Sequence, residues 1–317
     1  MNYVYKPIVT PNYGPLDPKV DLSPDFFTGF DYRRRKEITD KEASFYHQLM
    51  APYSVDEKIT KRYFKVPVRD KFEVDVKEYK PKNNPPKMPA LVFIHGGGFV
   101  TCTIETHDYV PSYLAANAGI AVYSVGYRLA PEWKYPVGIQ DCYDVAKYLK
   151  LNAEELGIDS SELYVGGDSS GGNYAAVLCQ MDREMKAVGF RKQVLIYPVT
   201  DVANKVPKKS LKVYAPGVDP NEPGWYLKEY LPDVEKSAKD PFVSPIWAEN
   251  FKNLPKALFI QAECDTLLDD GLIYANLLKQ DGVSVAVHIY KGMPHAFILR
   301  NYTETFMALN EIVSFLK

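Results

Sequence analysis

The chain has little that would place it in a specialised class of protein. Its 317 residues include only four cysteines, Cys102, Cys142, Cys179 and Cys264. Their wide, irregular spacing fits neither a disulfide framework nor a metal-binding pattern. No stretch reaches the roughly 18 apolar residues that a membrane-spanning helix needs. We therefore expect free thiols, a reducing cytoplasmic location and no membrane partner.

An excess of charge of one sign is also missing. The chain carries 38 basic and 40 acidic residues, a formal net charge of -2, so we expect no nucleic-acid partner. The first residues, MNYVYKPIVTPNYGPLDP, lack the apolar segment of a secretory signal. Neither internal repeats nor low-complexity runs occur, which excludes a repeat architecture and argues against extensive disorder.

What the sequence does contain is an alternation of strand and helix patterns. The segments RYFKVPV and FEVDVKEY flank a polar turn at 69–71 and predict a hairpin. Strand patterns follow at 91–95, 120–125, 163–167, 193–198, 257–263 and 285–290, and the first two are those of buried strands. Helical patterns lie between and after them at 108–117, 138–151, 170–185, 269–280 and 303–316. This order predicts an α/β fold with a mostly parallel sheet, helices on both faces and antiparallel strands at one edge.

Two regions depart from this alternation. Residues 1–36 show no clear periodicity, and a short helix is predicted after them at 38–50, with Thr39 or Asp40 as its cap. Residues 200–250 are rich in Pro, Gly, Lys and aromatic side chains, and a segment of that length without a sheet pattern is typical of a functional insertion.

A candidate nucleophile lies in Gly167-Asp168-Ser169-Ser170-Gly171-Gly172. This stretch contains G-x-S-x-G centred on Ser169, and it joins a predicted strand to a predicted helix. A sharp turn in that context raises the serine hydroxyl above the sheet edge. Taken alone the pattern is weak, and a Gly/Ser-rich loop that merely caps a helix is the alternative. Ser170 is the competing hydroxyl, but it lacks a glycine two positions earlier.

A second glycine-rich loop, His95-Gly96-Gly97-Gly98-Phe99, ends the buried strand at 91–95. Backbone N–H groups in such a loop stabilise the oxyanion of an acyl-transfer reaction. The predicted donors are Gly97 and Gly98, completed by the N–H of Ser170. A phosphate-binding loop is disfavoured because neither Lys-Ser/Thr nor G-x-G-x-x-G is present. For His95 a role in bracing the loop is favoured over metal binding.

The base and its orienting acid follow from residue order, which is Ser, acid, His in this strand–turn–helix context. Four of the five histidines are disfavoured by position: His47, His95, His107 and His288. His295 follows the last strand in a loop and is the predicted base. Asp265 directly follows the strand at 257–263 and is the predicted acid, with Glu263 a distant second. For Asp269 and Asp270, capping of the next helix is the expected role.

With these motifs in place, the sequence resembles the hormone-sensitive-lipase family of α/β-hydrolases, in its bacterial acetyl-esterase-like branch. The resemblance covers about residues 65–315 and rests on seven motifs in the family's order: HGGGF (95–99), ETHD (105–108), YRLAPE (127–132), GDSSGGN (167–173), VSPIW (243–247), DTLLDDG (265–271) and HAF (295–297). Ser170 stands where the family usually has Ala, and we expect little consequence because the backbone N–H is unaffected.

The resemblance implies an eight-stranded, mostly parallel sheet with a helical cap. The cap would comprise residues 1–55 and an insertion at 200–250 within a catalytic domain at 56–317. The triad Ser169, Asp265 and His295 and the oxyanion donors Gly97, Gly98 and Ser170 match the family pattern. The resemblance further implies a possible homodimer through the edge-strand segment 284–290, unless charge or a cap blocks that edge.

The predicted function is a serine carboxylesterase that hydrolyses small-molecule esters through an acyl-enzyme. The resemblance implies short acyl chains, from acetyl to about hexanoyl. No metal or organic cofactor is required. Five residues are candidates for the wall of the acyl pocket, although core packing explains each of them equally well: Phe99, Leu267, Phe297, Tyr214 and Trp225. Two alternatives remain: an amide or formamide hydrolase with the same triad, and a non-catalytic ligand-binding member of the fold.

Overall fold

A computed structural model describes residues 11–23, 30–83, 85–210 and 225–317, without the side chain of Trp225. Eight strands form one sheet in the order β1-β2-β4-β3-β5-β6-β7-β8. Their bounds are β1 Ile59–Pro67, β2 Glu73–Pro81, β3 Met88–Ile94, β4 Ala121–Gly126, β5 Ile158–Asp168, β6 Lys192–Ile196, β7 Lys256–Cys264 and β8 Val285–Pro294. β2 pairs antiparallel with β1 and β4, and all other pairs are parallel. The predicted fold class, with its antiparallel edge, is confirmed.

The α-helices of the described chain alternate with these strands. Their bounds are α1 Arg35–Met50, α2 Tyr109–Ala118, α3 Val137–Leu151, α4 Ser170–Met185, α5 Trp225–Tyr230, α6 Val234–Ser237, α7 Leu268–Gln280 and α8 Thr303–Leu316. The short helices α5 and α6 lie inside the segment that breaks the strand–helix alternation. Within the described residues, no helix has both the length and the apolar character needed to cross a membrane.

The sheet separates two apolar cores because successive strand side chains point to opposite faces. On β3, Val92 and Ile94 belong to one core, which also receives α3, α4 and α7. Leu91 and Phe93 belong to the other, which receives α2 and α8. Neither face of a strand that is buried on both sides contacts solvent, so its side chains are apolar at successive positions. This explains the continuous apolar run of β3 in the sequence.

Helix α1 begins earlier than the sequence predicts. Thr39 and Asp40 do not cap it, because the helix starts at Arg35 and follows a 3-10 turn at Tyr32–Arg34. The side chain of Asp31 accepts the N–H of Arg33 and caps that turn. Thr39 lies inside the helix, where its hydroxyl donates to the carbonyl of Arg35 at 3.0 Å. The four basic residues at 33–36 have no apolar periodicity, so the sequence did not mark this helix start.

The register of the parallel strands brings the functional segments to one edge of the sheet. Ile94 pairs with Gly167, so the loop after β3 lies beside the turn after β5. Cys264 pairs with Pro294, so the loops after β7 and β8 are also neighbours. The carboxyl ends of these strands form the edge at which α/β sheets bind ligands.

Candidate active site

Ser169 occupies a strained turn between β5 and α4. Its backbone has φ 54° and ψ -118°, a conformation that is costly for a residue with a side chain. The flanking glycines make this turn possible. A Cβ atom added at Gly167 would lie 2.3 Å from the carbonyl oxygen of Ile94, and one at Gly171 only 2.0 Å from the same oxygen. The turn leaves Ser169 half-buried at the sheet edge.

Three side chains from different loops form a continuous hydrogen-bonded chain. The imidazole Nε2 of His295 lies 3.0 Å from the hydroxyl oxygen of Ser169. Its Nδ1 lies 2.7 Å from Oδ2 of Asp265. The Asp265 carboxylate is fully buried, whereas the His295 side chain retains 38% of its exposure. This arrangement can move a proton from the hydroxyl to the imidazole, which is the requirement for an activated serine nucleophile.

The electrostatic environment of His295 favours its protonated form. Burial disfavours the charged ring and by itself would lower the pKa of His295. The attraction of the Asp265 and Asp168 carboxylates is larger than this effect, so the pKa of His295 lies above its ordinary value. An imidazolium would therefore be stabilised immediately after the ring accepted a proton.

The loop after β3 presents unpaired backbone donors beside the serine. Gly97 and Gly98 have φ values of 111° and 60°, which glycine adopts readily. A Cβ atom at Gly97 would lie 2.2 Å from the carbonyl oxygen of Thr101. Within the described chain, the N–H groups of Gly97 and Gly98 have no backbone acceptor. The N–H of Ser170, first in α4, has no intrahelical acceptor either.

Neighbouring side chains hold this loop in place. The hydroxyl of Ser170 accepts the N–H of Phe99 at 3.3 Å, so the serine contributes a contact that alanine at this position would lack. His95 places Nδ1 2.8 Å from the Gly96 carbonyl, and its own carbonyl accepts the hydroxyl of Tyr127 at 3.0 Å. Burial lowers the pKa of His95 to about 3, so its ring is neutral. No group of three metal-ligating side chains occurs among the described residues.

The five candidate pocket residues have different surroundings. Phe99 and Phe297 are fully buried in the two apolar cores, so core packing accounts for both rings. Leu267 is half-buried, and its N–H donates to Oδ1 of Asp265 at 2.8 Å. Tyr214 and the side chain of Trp225 lie outside the described residues.

Two tyrosines of α5 lie on the glycine loop, and the sequence analysis did not identify either. A Cβ atom at Gly98 would lie 3.5 Å from Cγ of Tyr226, so that ring covers the loop. The ring of Tyr230 stacks on Phe99, with 4.0 Å between ring centroids and 9° between planes. The two tyrosines are four residues apart, which places both on one face of a helix. This spacing is the one sequence feature that could have indicated a shared contact.

Asp269 and Asp270 do not cap α7. Asp269 instead accepts the backbone N–H groups of Lys209 and Ser210, at 2.7 and 3.0 Å. Asp270 accepts the N–H of Thr200 at 3.0 Å and forms a fully buried ion pair with Lys208 at 2.7 Å. The cap prediction for both carboxylates is wrong, because Leu267 occupies the N-cap position and both carboxylates bind these long-range partners instead. They fix residues 200 and 208–210 to the first turn of α7.

Comparison with known proteins decides the family. The model of the alpha/beta hydrolase fold family matches residues 91–299, about two thirds of the chain. The chain belongs to the α/β-hydrolase family.

Several curated and structurally characterised proteins that are similar to this α/β-hydrolase are named as esterases. It is 37% identical over 235 residues to an ethyl acetate hydrolase from Pseudomonas putida, covering 73% of each chain. An arylesterase from Saccharolobus solfataricus is 35% identical over 243 residues, covering 75% of this chain and 76% of the relative. The structure of a hyperthermophilic esterase from Pyrobaculum calidifontis superimposes with a TM-score of 0.86 at 34% identity, covering 96% and 98% of the two chains.

These relatives identify the protein as a carboxylic ester hydrolase. The predicted resemblance to the hormone-sensitive-lipase family of carboxylesterases is confirmed.

Proposed function

We propose that this hydrolase cleaves esters of short acyl chains through the triad Ser169, His295 and Asp265. The observation that carries the proposal is the continuous chain of hydrogen bonds from Asp265 through His295 to Ser169, with distances of 2.7 and 3.0 Å. The three residues come from three separate loops, yet their polar atoms meet in the order that acyl transfer requires.

In the first half of the reaction, the Ser169 hydroxyl attacks the ester carbonyl carbon while Nε2 of His295 takes the hydroxyl proton. The carbonyl oxygen becomes an oxyanion, and the N–H groups of Gly97, Gly98 and Ser170 donate to it. The tetrahedral intermediate then collapses: the bond to the alcohol oxygen breaks, and His295 returns the proton to the leaving alcohol. The acyl group remains bound to Ser169 as an ester.

The second half repeats these steps with water. Nε2 of His295 removes a proton from a water molecule, whose oxygen attacks the acyl-enzyme carbonyl. Collapse of the second intermediate breaks the bond to Ser169, which regains its proton from His295, and the carboxylic acid leaves. Asp265 orients the ring and stabilises the imidazolium.

The preference for short acyl chains is proposed on two grounds. The Pseudomonas putida relative is named for ethyl acetate, an ester of a two-carbon acid. In addition, the ring of Tyr226 covers Gly98, one of the proposed oxyanion donors, and so restricts the space beside the reacting carbonyl.

A series of p-nitrophenyl esters tests this proposal. We expect acetate and butyrate to be hydrolysed with kcat/KM at least about tenfold above that for octanoate and palmitate, because a confined pocket rejects added methylene groups. A matched p-nitroanilide tests the amide alternative. Faster cleavage of the anilide would favour an amidase, and an inert folded protein would favour a ligand-binding role.

Substitution of Tyr226 tests what limits the acyl chain. Tyr226→Ala removes the ring over Gly98, so we expect kcat/KM for octanoate relative to acetate to rise about tenfold. Tyr226→Phe keeps the ring and serves as the control, with a chain-length profile close to that of the native protein. An unchanged profile in Tyr226→Ala would show that the limit lies elsewhere.

The domain division, location and assembly also belong to this proposal. We propose that residues 1–55 and 200–250 form a cap over a catalytic domain at 56–317. A cytoplasmic location is supported by the four cysteines, which are all unpaired. A homodimer is supported by the sheet order, because within the described residues β8 has a strand partner, β7, on one side alone.

A further inference from the structure

Asp168, the residue before the proposed nucleophile, is buried yet charged, and the proposed mechanism does not use it. Its side chain points under the glycine loop. Oδ1 accepts the N–H of Gly96 at 2.9 Å. The packing is tight, because a Cβ atom added at Gly96 would lie 2.6 Å from Oδ2. Asp168 therefore touches the residue that directly precedes the proposed oxyanion donors.

His107 is the ionic partner of Asp168. Its Nε2 lies 3.1 Å from Oδ1 and 3.2 Å from Oδ2, and its Nδ1 lies 2.8 Å from the hydroxyl of Thr106. Burial alone would raise the pKa of Asp168, but His107 holds that pKa below its usual range. Burial alone would lower the pKa of His107, but Asp168 raises it. We call these two residues the elbow pair.

Three other titratable side chains lie close to the elbow pair. His95 is neutral, and its ring centroid lies 5.7 Å from that of His107. Glu42 reaches the cluster from α1, where burial raises the pKa of its carboxyl to about 7. The Cys102 thiol lies 3.7 Å from the Glu42 carboxyl, and burial raises the pKa of this thiol well above its ordinary value.

A buried ion pair is a poor means of stabilising a fold, because the cost of removing two charges from water offsets much of their attraction. Its location suggests a different role. Three consecutive residues of the loop, Gly97, Gly98 and Phe99, have positive φ. Such a conformation persists only where surrounding contacts hold it. A displacement of about 1 Å in a catalytic group can lower a rate by about 100-fold.

We propose that Asp168 is a positioning residue of the oxyanion hole. Its carboxylate, oriented by His107, anchors the N–H of Gly96 and thereby sets where the N–H groups of Gly97 and Gly98 point. This inference rests on the proposed esterase mechanism and adds a role that the triad does not supply. It also gives a chemical reason for an ionised side chain at this buried position.

Asp168→Asn tests the proposal. The asparagine amide oxygen can still accept the N–H of Gly96, but the negative charge and the ion pair with His107 are lost. We expect kcat for p-nitrophenyl acetate to fall about 10- to 100-fold while KM stays within about twofold, because oxyanion donors act mainly in the transition state.

Asp182→Asn is the matched control. Asp182 is also buried and accepts backbone N–H groups, those of Val188 and Gly189 at 2.7 Å each. It lies in the last turn of α4, at the opposite end of that helix from Ser169. We expect this variant to lose thermal stability while kcat stays within about twofold of the native value.

Hydrogen exchange of a peptide covering residues 95–104 separates loop positioning from general destabilisation and needs no activity. Faster exchange there in Asp168→Asn than in Asp182→Asn supports the proposal. Native kcat in Asp168→Asn, or an equal fall of kcat in both variants, overturns it. If the native protein hydrolyses no ester, the proposed function fails, and the exchange comparison alone then decides whether Asp168 holds the loop.

Discussion

Replacing Ser169 with alanine is expected to lower kcat for p-nitrophenyl acetate by about 10⁴- to 10⁶-fold, with little change in KM. The hydroxyl oxygen supplies the bond on which the whole proposed pathway depends, and no other hydroxyl is bonded to His295 in the described chain. A fall of this size corresponds to about 5 to 8 kcal/mol of transition-state stabilisation. Steady-state kinetics at matched protein concentration measures it.

Ser170→Ala provides the matched control for that experiment. It removes a neighbouring hydroxyl that accepts the N–H of Phe99 at 3.3 Å and leaves the backbone N–H of residue 170 in place. We expect kcat to fall less than about tenfold, because only one contact of the loop is lost. If Ser170→Ala were inactive and Ser169→Ala active, the nucleophile would be Ser170 and the proposed assignment to Ser169 would be wrong.

Replacing Asp265 with asparagine is expected to lower kcat by about 10⁴-fold without loss of the fold. In the proposed triad, Asp265 accepts the Nδ1–H of His295, which leaves Nε2 free to accept the proton of Ser169. An asparagine amide group would donate to Nδ1 instead and place the imidazole proton on Nε2, where it blocks the reaction. The N–H of Leu267 could still be accepted by the amide oxygen.

The pH dependence gives this variant a second signature. The base must be neutral to act, so activity is present above the pKa of His295 and is lost as pH falls through it. The Asp265 and Asp168 carboxylates raise that pKa in the native protein. Asp265→Asn removes the nearer charge, so the acid limb of kcat/KM should move to lower pH. Profiles from about pH 5 to about pH 9 span the range in which a histidine titrates.

Glu263→Gln is the control for the choice of acid. Glu263 is buried on the same strand end, and its Oε2 accepts the N–H of Gly292 at 2.9 Å, a contact that glutamine preserves. We expect activity within about threefold of the native value, because the substitution is local and leaves His295 and its partners unchanged. A loss comparable to that of Asp265→Asn would transfer the acid role to Glu263.

The fold was predictable because its signals are local. The run at 91–95 is apolar without interruption, and β3 lies between two cores; the alternating segments before it form the antiparallel edge. Even so, local patterns misplaced boundaries. α1 begins at Arg35, where a turn capped by Asp31 leads into it, and the basic residues there have no apolar periodicity to mark a helix start.

The sequence predicted which side chains meet at the candidate site, but not the geometry with which they meet. Residue order and elimination selected Ser169, Asp265 and His295, since each follows a predicted strand and those strand ends share one edge. Nothing in the order of residues gives a distance or an angle. The strained backbone at Ser169 and the close approach of Gly171 to Ile94 depend on how β3, β5 and α4 pack together.

Contacts between segments far apart in the chain were decided by the tertiary structure alone. The sequence determined the strand–helix order and the glycines that the two turns require, because these follow from side-chain periodicity and steric limits within a few residues. The partners of Asp168, Asp269 and Asp270, and the tyrosines of α5 over the glycine loop, lie about 60 or more residues away along the chain. A buried carboxylate needs a hydrogen-bond donor or a cation beside it, and the packing of the chain determines which group lies there. A local sequence pattern does not predict that partner.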